Sequence, residues 1–203
     1  MMKRHKIAIL GLQETHPDEE TQKADEIRFR NTLRMLHSTD PDNPRSSNGV
    51  SIAINKGLID AKSVTHRTVV PGRVLIIEIP WNEHDRLRIM NVYAPVKSEE
   101  KATFWKGLLS SIENDDDLWP DIILGDFNLV ENPEIDCMNN RRGTDPSAAR
   151  TALSELVTEL NLVDGWRRRH PRKGDTPSPE TANPDWTACT RRRIYTHGAR
   201  TGK

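Results

Sequence analysis

The chain has 203 residues, with 30 lysines and arginines against 30 aspartates and glutamates, and 34% of it is hydrophobic. This suits a single domain spanning 1–203 with a thin core, and the balanced charge argues against a disordered acidic or basic chain. The longest apolar runs, 7–12 and 74–77, are too short for a bilayer span or a secretory signal, and Cys137 and Cys189 lack the spacing of a disulfide framework or a thiolate zinc site; a soluble, intracellular chain with two reduced thiols is expected.

In chain order, the first element is an apolar strand at 7–10, continuing towards Leu12. A helix is expected over 21–36, where Phe29, Leu33 and Leu36 share a face, followed by a loop at 37–48. Alternating and β-branched runs mark strands at 50–54, 64–70, 73–79 and 87–92, read as two antiparallel hairpins, 50–54 with 64–70 and 73–79 with 87–92. Ala102, Trp105, Leu109 and Ile112 mark a helix, 121–124 a further strand, and 131–147 a loop. The clearest helical pattern runs through Ala149, Leu153, Leu156, Val157 and Leu160, with Asp145-Pro146 as cap and first turn. A proline-rich loop fills 170–185. No repeat or heptad register is present, and the alternation of strand pairs with helices predicts an α/β (α+β) layered architecture.

The neutral total conceals a gradient. Residues 165–203 hold ten basic and three acidic side chains, including Arg167-Arg168-Arg169 and Arg191-Arg192-Arg193, while 1–164 are net acidic. Such an end suits contact with phosphates, and it equally suits a solvated basic surface.

Three strands end in polar sequences: Leu12-Gln13-Glu14-Thr15-His16, Asn91-Val92-Tyr93-Ala94-Pro95 and Gly125-Asp126-Phe127-Asn128. Strand ends in layered sheets are where ligand-binding groups are presented. Glu14 and Asp126 each leave a hydrophobic strand, and with an amide oxygen they make a hard oxygen environment suited to Mg2+ or Mn2+. Each piece also has an ordinary reading: Gly-Asp-Phe-Asn as a strand-to-turn exit, Tyr93 as a sheet aromatic, Glu14 as a solvated strand end and His16 as a local hydrogen-bonding group.

In this order, however, LQETH, GVSIAINK, LRIMNVYAP, ILGDFNLV and LNLVDGWRRRHP resemble the endonuclease/exonuclease/phosphatase superfamily, and within it the endonuclease domains of LINE-like retrotransposons. The resemblance covers nearly the whole chain. It implies a deoxyribonuclease I-like four-layer α/β sandwich of two packed, mostly antiparallel sheets with helices outside. It also implies Glu14 as the Mg2+ (or Mn2+) ligand, Tyr93 as a phosphate or transition-state contact, Asp126 as the residue that orients or deprotonates the attacking water, and Asn128 as its partner at the scissile phosphate. Glu14, Asp126 and Asn128 are expected to converge on one acidic cleft with Tyr93 at its rim.

The departures are equally specific. Only 1–6 precede the first strand, so the family's earlier strand with its active-site asparagine is expected to be missing. Asp185-Trp186-Thr187 resembles the family's aromatic-Thr element and Arg193-Ile194-Tyr195 the end of a strand in which Arg192 stands where an aspartate belongs; no Ser-Asp-His follows, and His197 is a poor substitute. The chain therefore reads as an incomplete copy, truncated at both ends, with open sheet edges that favour aggregation. Three functions remain: a metal-dependent phosphodiester hydrolase, ancestrally a DNA-nicking endonuclease, whose activity is weak or lost; a degenerate remnant that at most binds metal or nucleic acid; and a small-phosphoester phosphatase. DNA is the expected partner, no membrane or protein partner is implied, and a mobile-element product would act in the nucleus.

Overall fold

The computed structural model describes residues 2, 4–16, 18–41, 48–83, 85–131, 145–165 and 192–197. They fall into two units, Met1–Tyr93 with Ser111–Gly125, and Ala94–Ser110 with Asp126–Lys203.

The first unit contains β1 (Ile9–Gln13), α1 (Glu19–Phe29), β2 (Leu33–Ser38), β3 (Val50–Asn55), β4 (Thr65–Val70), β5 (Val74–Pro80) and β6 (Arg86–Tyr93), and most of β7 (Ile122–Asp126). One sheet has the order β1-β3-β2, antiparallel throughout, and four further strands follow the order β4-β5-β6-β7. The sheets face each other through apolar residues at alternate positions. Val50, Ile52 and Ile54 of β3 and Leu36 of β2 share one core with Leu75, Ile77 and Ile79 of β5 and Ile89 of β6. Each such Ile or Leu contributes about 1.5–3 kcal/mol by leaving water.

Two expectations about this unit are corrected. The helix ends at Phe29, and 33–38 is a strand instead of its last two turns. Asp18 caps the helix by accepting from Thr21 N at 2.9 Å, and the chain turns at Arg30 to Thr32, with Thr32 N donating to Phe29 O at 2.8 Å. Beyond the turn, all six residues of β2 pair with β3, a gain of tertiary hydrogen bonds and burial that outweighs the local spacing. The second correction concerns pairing: 50–54 does not form a hairpin with 64–70 but is the central strand between β1 and β2, while β4 pairs with β5. The β5–β6 hairpin is as expected.

Glycine permits two close backbone approaches. A Cβ on Gly11 would lie 2.3 Å from Leu124 Cδ1, and one on Gly125, where φ is +141°, would lie 1.9 Å from Val92 O.

The second unit holds α3 (Ser147–Glu159) and the antiparallel pair β8 (Leu162–Asp164) and β9 (Arg192–His197); α2 (Ser98–Glu113) begins in it. On α2, Trp105, Leu108 and Ile112 are fully buried, and Leu108 takes the place expected for Leu109. Ala149, Ala152, Leu153 and Leu156 form the inner stripe of α3. Pro146 stands at its N-cap without a side-chain cap, so Asp145 does not cap the helix. Arg167-Arg168-Arg169, Arg191, the 170–185 loop, Asp185-Trp186-Thr187, Cys137, Cys189 and most of the 131–147 loop lie outside the described residues, and Arg192 and His197 are described by backbone alone. No described helix is long and apolar enough to cross a membrane.

Candidate active site

Glu14 stands immediately after β1, exposed, in the left-handed region at φ 57°. A non-glycine residue held there costs about 1–3 kcal/mol and persists only where its surroundings fix it. What fixes it is visible on both sides. Tyr93 Oη, at the end of β6, donates to Glu14 Oε1 at 2.8 Å. Thr15 N donates to Gly49 O at 3.3 Å, and Thr15 Oγ1 shares a 2.8 Å hydrogen bond with Ser51 Oγ. Tyr93 is only 3% exposed, which corrects the expectation of a residue at a rim: its ring is core and its hydroxyl serves the carboxylate. The Arg73 guanidinium lies 5.7 Å from the Tyr93 ring centroid.

Asn91 is the residue that sequence reading passed over. Fully buried in β6, it donates through Nδ2 to Leu12 O at 3.1 Å and Ser51 O at 3.0 Å, and accepts from Gln13 Nε2 at 2.7 Å. It thereby ties the segment leading into Glu14 to the opposite sheet. The available signal was a lone amide within the apolar run 89–93 that ends β6, since a buried polar group must be paired. His37 belongs to the same network, with Nδ1 2.8 Å from Ser51 Oγ and Nε2 buried without a hydrogen-bond partner among the described residues. Burial pushes its pKa down, against the opposing pull of Asp25 and Glu26. His16 is exposed, at φ 38°.

Asp126 and Asn128 come together in the second unit. Asp126 is half-buried at the end of β7, and its Oδ1 accepts from Asn128 N at 2.9 Å, an Asx-type turn. Asn128 is 3% exposed at φ 46°, and its Nδ2 donates to Ala94 O at 2.8 Å while Ala94 N donates to Asp126 O at 2.9 Å. Asn128 thus braces the aspartate from below. Phe127 lies against Trp105, stacked at 5.2 Å, and against Tyr195, tilted at 5.2 Å.

The donor chemistry of both carboxylates suits a hard cation. Each has one oxygen fixed by a protein donor, and the other carries no hydrogen bond among the described residues. Mg2+ binds through one or two carboxylates and retains water, so it does not need a larger cage; among the described residues there is no group of three or more His, Cys, Asp and Glu side chains that could hold a metal.

Comparison with known proteins gives a consistent fold. No protein-family model matches the chain. A transposon TX1 protein of 149 kDa from Xenopus laevis, itself uncharacterized, is 29% identical over 161 residues, which are 79% of this chain and only 11% of that protein's length. The AP endonuclease LMAP from Leishmania major is similar over 97% of this chain and 72% of its own, with a TM-score of 0.76 at 15% identity. The endonuclease domain of TRAS1, a telomere-specific non-LTR retrotransposon, gives 0.57 at 14% identity, over 97% of this chain and 75% of its own. A humanized D. rerio TDP2 gives 0.53 at 14% identity, over 100% of this chain and 73% of its own. The chain has the deoxyribonuclease I-like fold, the fold of the endonuclease/exonuclease/phosphatase superfamily that its motifs resemble.

Proposed function

We propose that the chain is a metal-dependent phosphodiester hydrolase domain that nicks DNA, with Glu14 as metal ligand and Asp126 as the group that orients and deprotonates water. The observation that carries this is the 2.8 Å hydrogen bond from Tyr93 to Glu14, which holds an exposed carboxylate in a strained backbone while leaving its second oxygen for a cation. Similarity to DNA-processing endonucleases in fold supports DNA as substrate, and the matched transposon protein supports a mobile-element origin and hence action in the nucleus.

A bound divalent cation would supply Lewis-acid polarisation of a phosphoryl oxygen. The chain's residues supply the rest. Asp126, braced through Oδ1 by Asn128 N, presents Oδ2 to the water: the water oxygen bonds to phosphorus, its proton passes to Asp126, and the sugar oxygen leaves in line. Tyr93 contributes by setting the Glu14 rotamer, and Asn128 by fixing Asp126 and the Ala94 backbone.

A second reading, a remnant that binds metal or nucleic acid without turnover, is favoured by Arg192, which stands in β9 where the resemblance calls for an aspartate. The test pairs supercoiled plasmid with a small phosphate monoester as substrates in Mg2+. The expected result is plasmid nicking that chelation stops and that Asp126→Ala lowers by about a hundredfold or more. Background nicking by the unmodified chain that rises in Arg192→Asp supports the second reading. Nicking unaffected by Asp126→Ala overturns the first, and preferential monoester hydrolysis reassigns the substrate.

A further inference from the structure

We infer that Lys101 is a positioning residue for the turn that carries Asp126 and Asn128, a role that rests on the phosphodiesterase reading above. Lys101 lies near the start of α2, and its side chain is 4% exposed. A lysine ammonium is rarely buried so deeply unless it is paired, because its desolvation must be offset by a well-placed anion. Its partner is Asp145, which receives Nζ on Oδ1. The other oxygen, Oδ2, accepts from Val130 N at 2.7 Å.

The consequence follows from where Val130 stands. It is four residues after Asp126, at the far end of a segment whose middle is Asn128 in the left-handed region. One turn along α2 from Lys101, on the same helix face, Trp105 stacks on Phe127 with an interplanar angle of 17°. A single face of α2 therefore holds the turn at two points, by ring contact at residue 127 and by the Lys101–Asp145–Val130 link at residue 130. Removing the ammonium leaves the Asp145 carboxylate, whose side chain is only 14% exposed, without its counter-charge, and the carboxylate is then drawn towards water and away from the Val130 amide. The turn loses its downstream anchor while Asp126, Asn128 and the metal ligand are untouched.

A pair that merely stabilises the unit would lower the melting temperature of Lys101 variants without a selective effect on turnover. The distinguishing experiment uses the full chain with Lys101→Met, Lys101→Arg and the double variant Lys101→Met/Asp145→Asn, which removes both charges but keeps a side-chain oxygen for Val130. Amide hydrogen exchange is measured across 126–131, with β5 as internal reference, alongside kcat and KM for plasmid nicking in Mg2+. Lys101→Met is expected to exchange the Val130 amide tenfold faster or more with β5 unchanged, and to lower kcat by about 10- to 100-fold with KM within about twofold; Lys101→Arg is expected to recover most of both. Wild-type protection of Val130 in Lys101→Met overturns the inference, as does a double variant whose Val130 amide exchanges as fast as in Lys101→Met, because the neutral amide at 145 keeps an acceptor and carries no charge that draws it towards water. Should Lys101→Met fail to fold, Lys101→Arg and the double variant must both keep the protection, and Asp145→Ala, which removes the acceptor, must lose it. Absence of nicking by the wild type sinks the phosphodiesterase reading instead, and the exchange data alone then decide whether Lys101 governs Val130.

Discussion

Two of the four residues singled out from sequence, Glu14 and Asn128, have left-handed backbones, at φ 57° and 46°. Strain of this kind requires surroundings that enforce it, and at Glu14 these are the Tyr93 hydroxyl in front and the Thr15–Ser51 bond behind. The carboxylate has two separable functions there: it accepts a hydrogen bond, and it carries charge. Glu14→Gln retains an oxygen for Tyr93 and loses the charge, so its unfolding free energy should stay within about 0.5–1.5 kcal/mol of wild type. Its Mg2+ or Mn2+ binding, followed by calorimetric titration, should fall at least tenfold. Unchanged metal binding would remove Glu14 as the ligand. Tyr93→Phe makes the complementary change: the buried ring stays, Glu14 loses its fixed rotamer, and nicking should fall by about tenfold or more with the melting temperature little altered.

At the scale of elements, the motifs were legible because they combine a buried strand with a polar exit, and both halves of that signal are local. Pairing is not local, which is why 33–38 reads as helix from the spacing of Phe29, Leu33 and Leu36 yet forms β2 against β3. The same cause hides the central position of β3, whose partners β1 and β2 both precede it in sequence yet flank it in the sheet. Asn91 was visible only as part of a motif, because its three hydrogen bonds go to residues 12, 13 and 51. Asn91→Leu strands two carbonyls and the Gln13 amide in a buried environment, and should cost about 3 kcal/mol or more in urea unfolding. Gly125→Ala tests the close approach of β7 to β6: with φ at +141° and Val92 O only 1.9 Å from the new Cβ, the strand must shift, and a loss exceeding about 2 kcal/mol is expected. A Gly125→Ala protein as stable as wild type would mean that the two strands are not held at this separation.

For the molecule as a whole, formal neutrality leaves the acid response to individual groups. Burial pushes both His37 and His66 below the ordinary imidazole value of 6.5; Asp25 and Glu26 oppose the shift at His37, and Arg34 reinforces it at His66. A lowered pKa means that the unfolded chain binds protons at a pH where the folded one does not, so stability rises with pH across that window. The histidine contribution is fully present above about pH 6.5 and is lost as the pH falls from there through the folded-state values. Carboxylates set a second, lower step. Burial raises Glu78, but hydrogen bonds from Arg88 and Arg86 outweigh it and hold the carboxyl below its ordinary 4.5, while the hydrogen bond from Arg67 lowers Asp115. Their contributions survive the histidine step and disappear only below about pH 4.5. Urea unfolding from pH 8 to pH 3 should therefore show a plateau, a first decline beginning near pH 6.5 and a steeper one below pH 4.5. His37→Gln, which cannot be charged yet can still hydrogen-bond Ser51, should reduce the first decline to the share carried by His66 and leave the second unchanged. A first decline of equal size in His37→Gln would assign it elsewhere and leave the buried imidazole without a part in the acid response.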